Sequence, residues 1–225
     1  EGGAYIEQTR FRLEGGLNVD AFVRAWQGAV DRHPALRSGF HWEGLDKPMQ
    51  IVLRKAALPV AQLDWGAKPA GVQLADLEAW LRQDQAQGFD LGKAPLMRLT
   101  LIALGGGSWQ VVWSYSHLLL DGWCLPMIFR EVAGAYAARS AGQVVPAPMA
   151  PPYKAFILWL RRREPKWAEA FWRAELAGFS EPTRLPVALR TEAVASEGRV
   201  ASVESRAVFS PDETLRLLSW CRNHA

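Results

Sequence analysis

From Ala4 to Leu13 hydrophobic and polar positions alternate with a period of two, with Tyr5, Glu7, Thr9, Phe11 and Leu13 on one parity. That alternation predicts a strand, which Gly15-Gly16 ends. The period then changes to helical: Val19, Phe22, Val23, Trp26 and Val30 form an apolar stripe behind Asn18, a good N-cap, and Pro34 stops the helix after Arg32. Two short strands are expected at Leu36–Trp42 and Met49–Arg54, followed by a loop from Ala56 to Gly71. A second helix is read over Val72–Gln87, with Leu74, Leu77, Trp80 and Leu81 on its apolar side and Gly88 closing it. Pro95–Leu104 and Ser108–Leu118 are strand runs joined by Gly105-Gly106-Gly107, a hairpin signal. Leu125–Arg139 returns to helical spacing through Leu125, Ile128, Phe129, Val132 and Tyr136, with Pro126 tolerated in the first turn.

Beyond this point the pattern weakens. Ala141–Pro152, with Pro146, Pro148, Pro151 and Pro152, is expected to be an irregular connector. Tyr153–Leu176 reads as a helix interrupted near Pro165. Ser180–Glu197 is expected to be a loop and Arg199–Phe209 a last strand. Ser210-Pro211-Asp212-Glu213 is a capping box opening a helix through Trp220. Strands and helices alternate imperfectly around one clear hairpin, so the expected class is α/β with a mixed sheet and packed helices, not a doubly wound nucleotide fold.

The stretch Val111–Arg130, VVWSYSHLLLDGWCLPMIFR, carries the chemistry. His117 and Asp121 stand between two apolar runs, and histidine is the side chain best suited to proton transfer near neutral pH. If the strand runs to Leu118, Ser116 and His117 point to opposite faces and make a poor nucleophilic dyad. Three readings of His117 stay open: a base or positioning group, a metal ligand with Asp121 and Cys124, or a structural imidazole. Asp121 has two: a cap on the following helix, or an ion-pair partner for an arginine such as Arg37.

Composition narrows the classes. Hydrophobic residues make up 49% and charged residues 22% of the 225 residues, as in ordinary globular proteins. No run approaches the roughly 18 apolar residues of a membrane span, and no signal-peptide pattern opens the sequence. Cys124 and Cys221 are too few for a disulfide framework, which fits a cytoplasmic setting. No Gly-rich phosphate loop or CxxC pair is present, and no second cluster of His and Cys supplies further ligands for the metal reading of His117, so neither a bound cofactor nor a metal is expected. Net charge is only +3, and the basic run Arg161-Arg162-Arg163 with Lys166 reads as the solvated face of an amphipathic helix rather than a nucleic-acid site.

SHLLLDGWC, residues 116–124, resembles the HHxxxDGWS signature of the condensation domains of nonribosomal peptide synthetases, which belong to the chloramphenicol-acetyltransferase-like superfamily. Four further stretches follow that family's order. Arg32–Phe40, RHPALRSGF, is similar to its RHxxLRTxF, and Phe89-Asp90-Leu91 with Pro95-Leu96 and Arg98 is similar to its FDL…PLxR. Tyr153–Trp159 resembles its YxDYAxW segment, and Phe171-Trp172 to Leu176 the helix after it. The departure is Ser116, where the family has the first histidine of its pair.

The resemblance implies a catalytic His117 at a tunnel mouth, with Gly122 as the backbone position facing the reacting centre. It makes Asp121 a brace paired with Arg37, and Ser116 and Trp123 structural members of the site. The implied reaction joins a donor thioester to the amine of an acceptor aminoacyl thioester, both on phosphopantetheine arms of carrier proteins. The LLLDGW and HWEGLDKPMQIV segments look closest to domains whose donor ends in a D-residue. The implied domain is the N-terminal, donor-side lobe, with the C-terminal lobe absent from this sequence and a neighbouring adenylation domain as a further partner. Two other readings are a non-catalytic lobe that docks carrier proteins or tailoring enzymes, and an acyltransferase using a CoA thioester.

Overall fold

The structure, a computed structural model, describes residues 5–143, 149–163, 165–181 and 207–224. Residues 1–168 and 169–225 form two compact units. The first is built on a four-stranded sheet in the order β1 (Ile6–Leu13), β6 (Ser108–Ser116), β5 (Met97–Gly105), β4 (Val60–Asp64). β6 pairs antiparallel with both β1 and β5, while β4 joins β5 in parallel, so the sheet is mixed as expected. The β5–β6 hairpin turns at Gly106-Gly107, whose φ values of 59° and 80° suit a primed turn that a side chain would strain.

Alternation along β5 and β6 sends side chains to two different layers. Leu99, Leu101, Val111 and Trp113 meet α1 (Val19–Arg32) and α3 (Cys124–Ser140). Ile102 and Val112 meet Leu77 and Leu81 of α2 (Ala70–Gln87). Trp26 of α1 and Trp113 of β6 lie edge to face at 4.8 Å between centroids, and Phe129 of α3 packs edge-on against both. Burying such aromatics supplies large apolar area and fixes the helices over the sheet.

On the other face a polar clamp does the fixing. Asp84 of α2 is 4% exposed and accepts hydrogen bonds from Arg98 Nε at 2.5 Å, Gln8 Nε2 at 2.6 Å and Ser114 Oγ at 2.6 Å. Arg98 also donates to the carbonyls of Gly88 and Asp84, and its guanidinium covers the Phe89 ring at 4.4 Å. The FDL…PLxR resemblance therefore falls on residues that hold α2 against the sheet.

Several expectations need correction. Leu36 lies in a 3-10 turn, Pro34–Arg37, and only Ser38–His41 forms β2, paired with β3 (Met49–Val52) in a separate two-stranded sheet. β2 also bonds the 88–93 loop, with Phe40 N donating to Leu91 O at 2.7 Å; a Cβ at Gly39 would come within 2.9 Å of Gly92 O. The expected loop 56–71 contains β4, an edge strand that was not anticipated. β6 ends at Ser116, two residues short of the expected strand end.

The interruption before Pro165 is present, separating α4 (Tyr153–Arg161) from α5 (Pro165–Glu175), and Arg163 lies over the Trp159 ring at 4.4 Å. Most of the expected last strand and the 180–197 loop lie outside the described residues, and 207–209 are not in a strand. In the second unit the capping box is formed: Ser210 and Glu213 satisfy each other's backbone N–H groups at the start of α6 (Pro211–Asn223). Among the described residues no helix is long and apolar enough to cross a membrane.

Candidate active site

The connection from β6 to α3 is pinned where it leaves the sheet. Ser116 N donates to Leu96 O at 2.9 Å, and His117 N donates to Tyr5 O at 2.7 Å, so the residues just before β5 and β1 fix the backbone at the histidine. Ser116 is 2% exposed, and its Oγ accepts from Leu118 N at 3.3 Å. His117 is exposed, and its ring makes no hydrogen bond to any described residue. The two side chains do not bond each other. The reason is not strand alternation, because His117 already lies in a turn.

Asp121 is a cap. Its Oδ1 accepts from Trp123 N at 3.0 Å and Cys124 N at 3.1 Å, satisfying two donors at the start of α3. Although the regular helix begins at Cys124 with Trp123 in the cap position, the side chain that serves its first turn is that of Asp121. A hydrogen bond with the Cys124 side chain, then the backbone bonds from Cys124 and Trp123, hold the Asp121 carboxyl below the usual aspartate range, with a smaller electrostatic contribution from His117. Burial pushes the Cys124 thiol up; a backbone hydrogen bond with Asp121 opposes the rise, while the Asp121 carboxylate adds to it. Among the described residues no three His, Cys, Asp or Glu side chains gather as a metal set.

Arg37 is not the partner of Asp121. It is 4% exposed and spends its donors on carbonyls: Nε on Val30 O at 3.0 Å, and one terminal nitrogen on Leu53 O and Arg54 O. The guanidinium thus ties the end of α1 to the segment just after β3, while Asp121 is satisfied locally. Gly122 has ample space: a Cβ there would meet nothing within 4 Å. Trp123 is 86% exposed.

His117 and Asp121 share a cavity of about 500 Å³ with His33, Leu36, Phe40, Met127 and Tyr153 among its lining. Its walls are mostly apolar, with few polar groups, as in small-molecule sites. Sequence reasoning read His33 only as part of a motif and gave it no role, and did not single out its partner Glu131, whose Oε2 lies 2.7 Å from His33 Nε2. They stand 98 residues apart; His33 falls in the RHPALRSGF stretch, but nothing local tied its ring to Glu131.

The whole arrangement has relatives. A family model described as "Condensation domain" matches residues 1–224. A linear gramicidin synthase of Brevibacillus parabrevis is 41% identical over 223 residues, 99% of this chain but 4% of that protein. The chain therefore spans a small fraction of such relatives. Among solved structures, the SgcC5 protein from Streptomyces globisporus matches with a TM-score of 0.65 and 26% identity, over 77% of this chain and 40% of that one. The starter condensation domain of rhizomide synthetase matches with a TM-score of 0.68 and 24% identity, over 80% of this chain and 44% of that one, and shows the shared fold.

Proposed function

The chain belongs to the condensation domain family, and from that premise we propose that it supplies the donor-side, N-terminal lobe of a domain that forms amide bonds in a nonribosomal peptide synthetase. The observation that carries this reading is the exposed His117 ring at a cavity of about 500 Å³, on a backbone anchored to Tyr5 just before β1. The substrates are two thioesters on phosphopantetheine arms of carrier proteins, the acceptor being loaded by an adenylation domain. This fits a cytoplasmic setting. The acceptor amine attacks the donor carbonyl carbon, a C–N bond forms and the C–S bond breaks. The departing thiolate ends with the proton that the amine loses, so amide and thiol leave in balance.

His117 takes that proton in transit or orients the amine. General-base assistance contributes about 10²–10⁴-fold, whereas holding two tethered reactants in register contributes roughly 7–11 kcal/mol. Positioning is the larger effect, and the fixed His117 backbone serves it. The other face of the cavity belongs to the second lobe; coverage of about two fifths of the matched solved chains supports this division. The donor ends in a D-residue, a choice supported by Leu118–Leu120 and Gln50, from the two segments that resemble this subtype and line the cavity.

Ser116 in place of the family's first histidine supports a second reading, a lobe that only docks carrier proteins. The complete parent protein, given donor thioesters ending in D- or L-residues and an acceptor aminoacyl thioester, separates the readings by product mass. Amide from the D-donor alone is expected. Equal use of the L-donor would remove the subtype assignment, and no amide from either would favour docking.

A further inference from the structure

The cavity at His117 contains a second imidazole with a more constrained environment. His33 ends α1, where its N–H donates to Ala29 O at 3.0 Å and its carbonyl accepts from Leu36 N at 3.1 Å, so its backbone is held on both sides. Its Nε2 lies 2.7 Å from Glu131 Oε2 on α3. A carboxylate only accepts, so the Nε2 position carries the hydrogen. The other carboxylate oxygen, Oε1, faces Arg32, 3.5 Å from a guanidinium nitrogen. In the neutral ring Nδ1 is then left with a lone pair, and it has no hydrogen-bond partner among the described residues. An imidazole oriented through one nitrogen by a carboxylate and free at the other is the base-and-orienter arrangement that acyl-transfer sites use. His117 has no such orienter among the described residues.

We infer that His33 is a second substrate-touching imidazole of this cavity, taking a hydrogen bond at Nδ1 from the amine N–H of the acyl acceptor, with Glu131 as its positioning residue. The inference rests on the amide-forming reading above. The acceptor is the favoured partner because a thioester group offers only acceptor atoms, which a lone pair at Nδ1 cannot bond. The attacking amine carries N–H donors, and a fixed acceptor beside it would aim its lone pair.

The test uses the complete parent protein with His33→Ala, Glu131→Gln and the double variant, measuring kcat and KM separately for the donor and acceptor thioesters. Glu131→Gln preserves shape. Arginine only donates, so the new amide oxygen stays toward Arg32 and the NH2 group turns to His33 Nε2. That reverses the tautomer and makes Nδ1 a donor. Each single variant is expected to lower kcat/KM for the acceptor about tenfold, the scale of one hydrogen bond. The donor KM should stay within twofold, and the double variant should lose no more than His33→Ala alone. Equal losses on both substrates, or an acceptor kcat/KM within twofold of the unaltered protein in either single variant, would overturn the role of His33 and leave the functional reading standing. No amide from the unaltered protein would overturn both.

Discussion

At the scale of single residues the site is made of small, separable jobs. Asp121 spends its carboxylate on the Cys124 side chain and two backbone N–H groups, and that use has a pH signature. Its folded pKa is depressed, so its contribution to stability is present above the unfolded value near 3.9 and is lost as pH falls through the folded value. Asp121→Asn keeps an acceptor for the cap but no charge. Melting temperatures of the two proteins should differ at neutral pH, with Asp121 the more stable, and converge below about pH 4. A constant difference down to pH 2.5 would assign the effect elsewhere. Gly122 makes the complementary case. No described residue crowds a Cβ there, so Gly122→Leu should change stability by less than about 0.5 kcal/mol. In the proposed reaction that same space belongs to the tethered substrates, so amide formation in the complete protein should fall at least tenfold. A variant that is both stable and fully active would show that the space is unused.

At the scale of elements, the sheet is clamped differently on its two faces. Aromatic packing holds α1 and α3, and a buried ion pair with hydrogen bonds holds α2. Arg98→Ala leaves Asp84 charged at 4% exposure with its strongest partner gone, and urea unfolding should show a loss of about 3–5 kcal/mol. Replacing both, Asp84→Leu with Arg98→Met, should cost clearly less, since no lone charge remains buried. A single-variant loss below 1 kcal/mol would mean that Asp84 finds another partner. The elements that could be read from sequence are those whose causes are local: the α1 stripe behind Asn18, the Gly106-Gly107 hairpin, and the Ser210–Glu213 capping box. β4 could not, because an edge strand of five residues is held by backbone pairing to β5, and its side chains alternate only weakly. The same division applies at the site. The cap by Asp121 is a three-residue matter and was readable. The diversion of Arg37 to three carbonyls and the meeting of His33 with Glu131 depend on how α1 lies beside α3 and the segment just after β3.

At the scale of the molecule, the cavity is open on one side and the neighbouring surface is apolar: Leu118 is 47% exposed, Met127 54% and Trp123 86%. Exposed apolar side chains grouped around a catalytic-looking group are what a site shared with a second lobe presents. The 225-residue chain alone, supplied with both thioesters, should therefore make no amide, and light scattering should show self-association. Turnover by the isolated chain would mean that one lobe suffices.

The central claim is that His117 serves amide formation, and one substitution reaches it most directly. In the complete parent protein, His117→Ala should leave the fold intact, since the ring is exposed and makes no hydrogen bond to a described residue. Single-turnover rates of amide formation with both thioesters bound should fall by about 10²–10⁴-fold. An unchanged single-turnover rate would contradict the account.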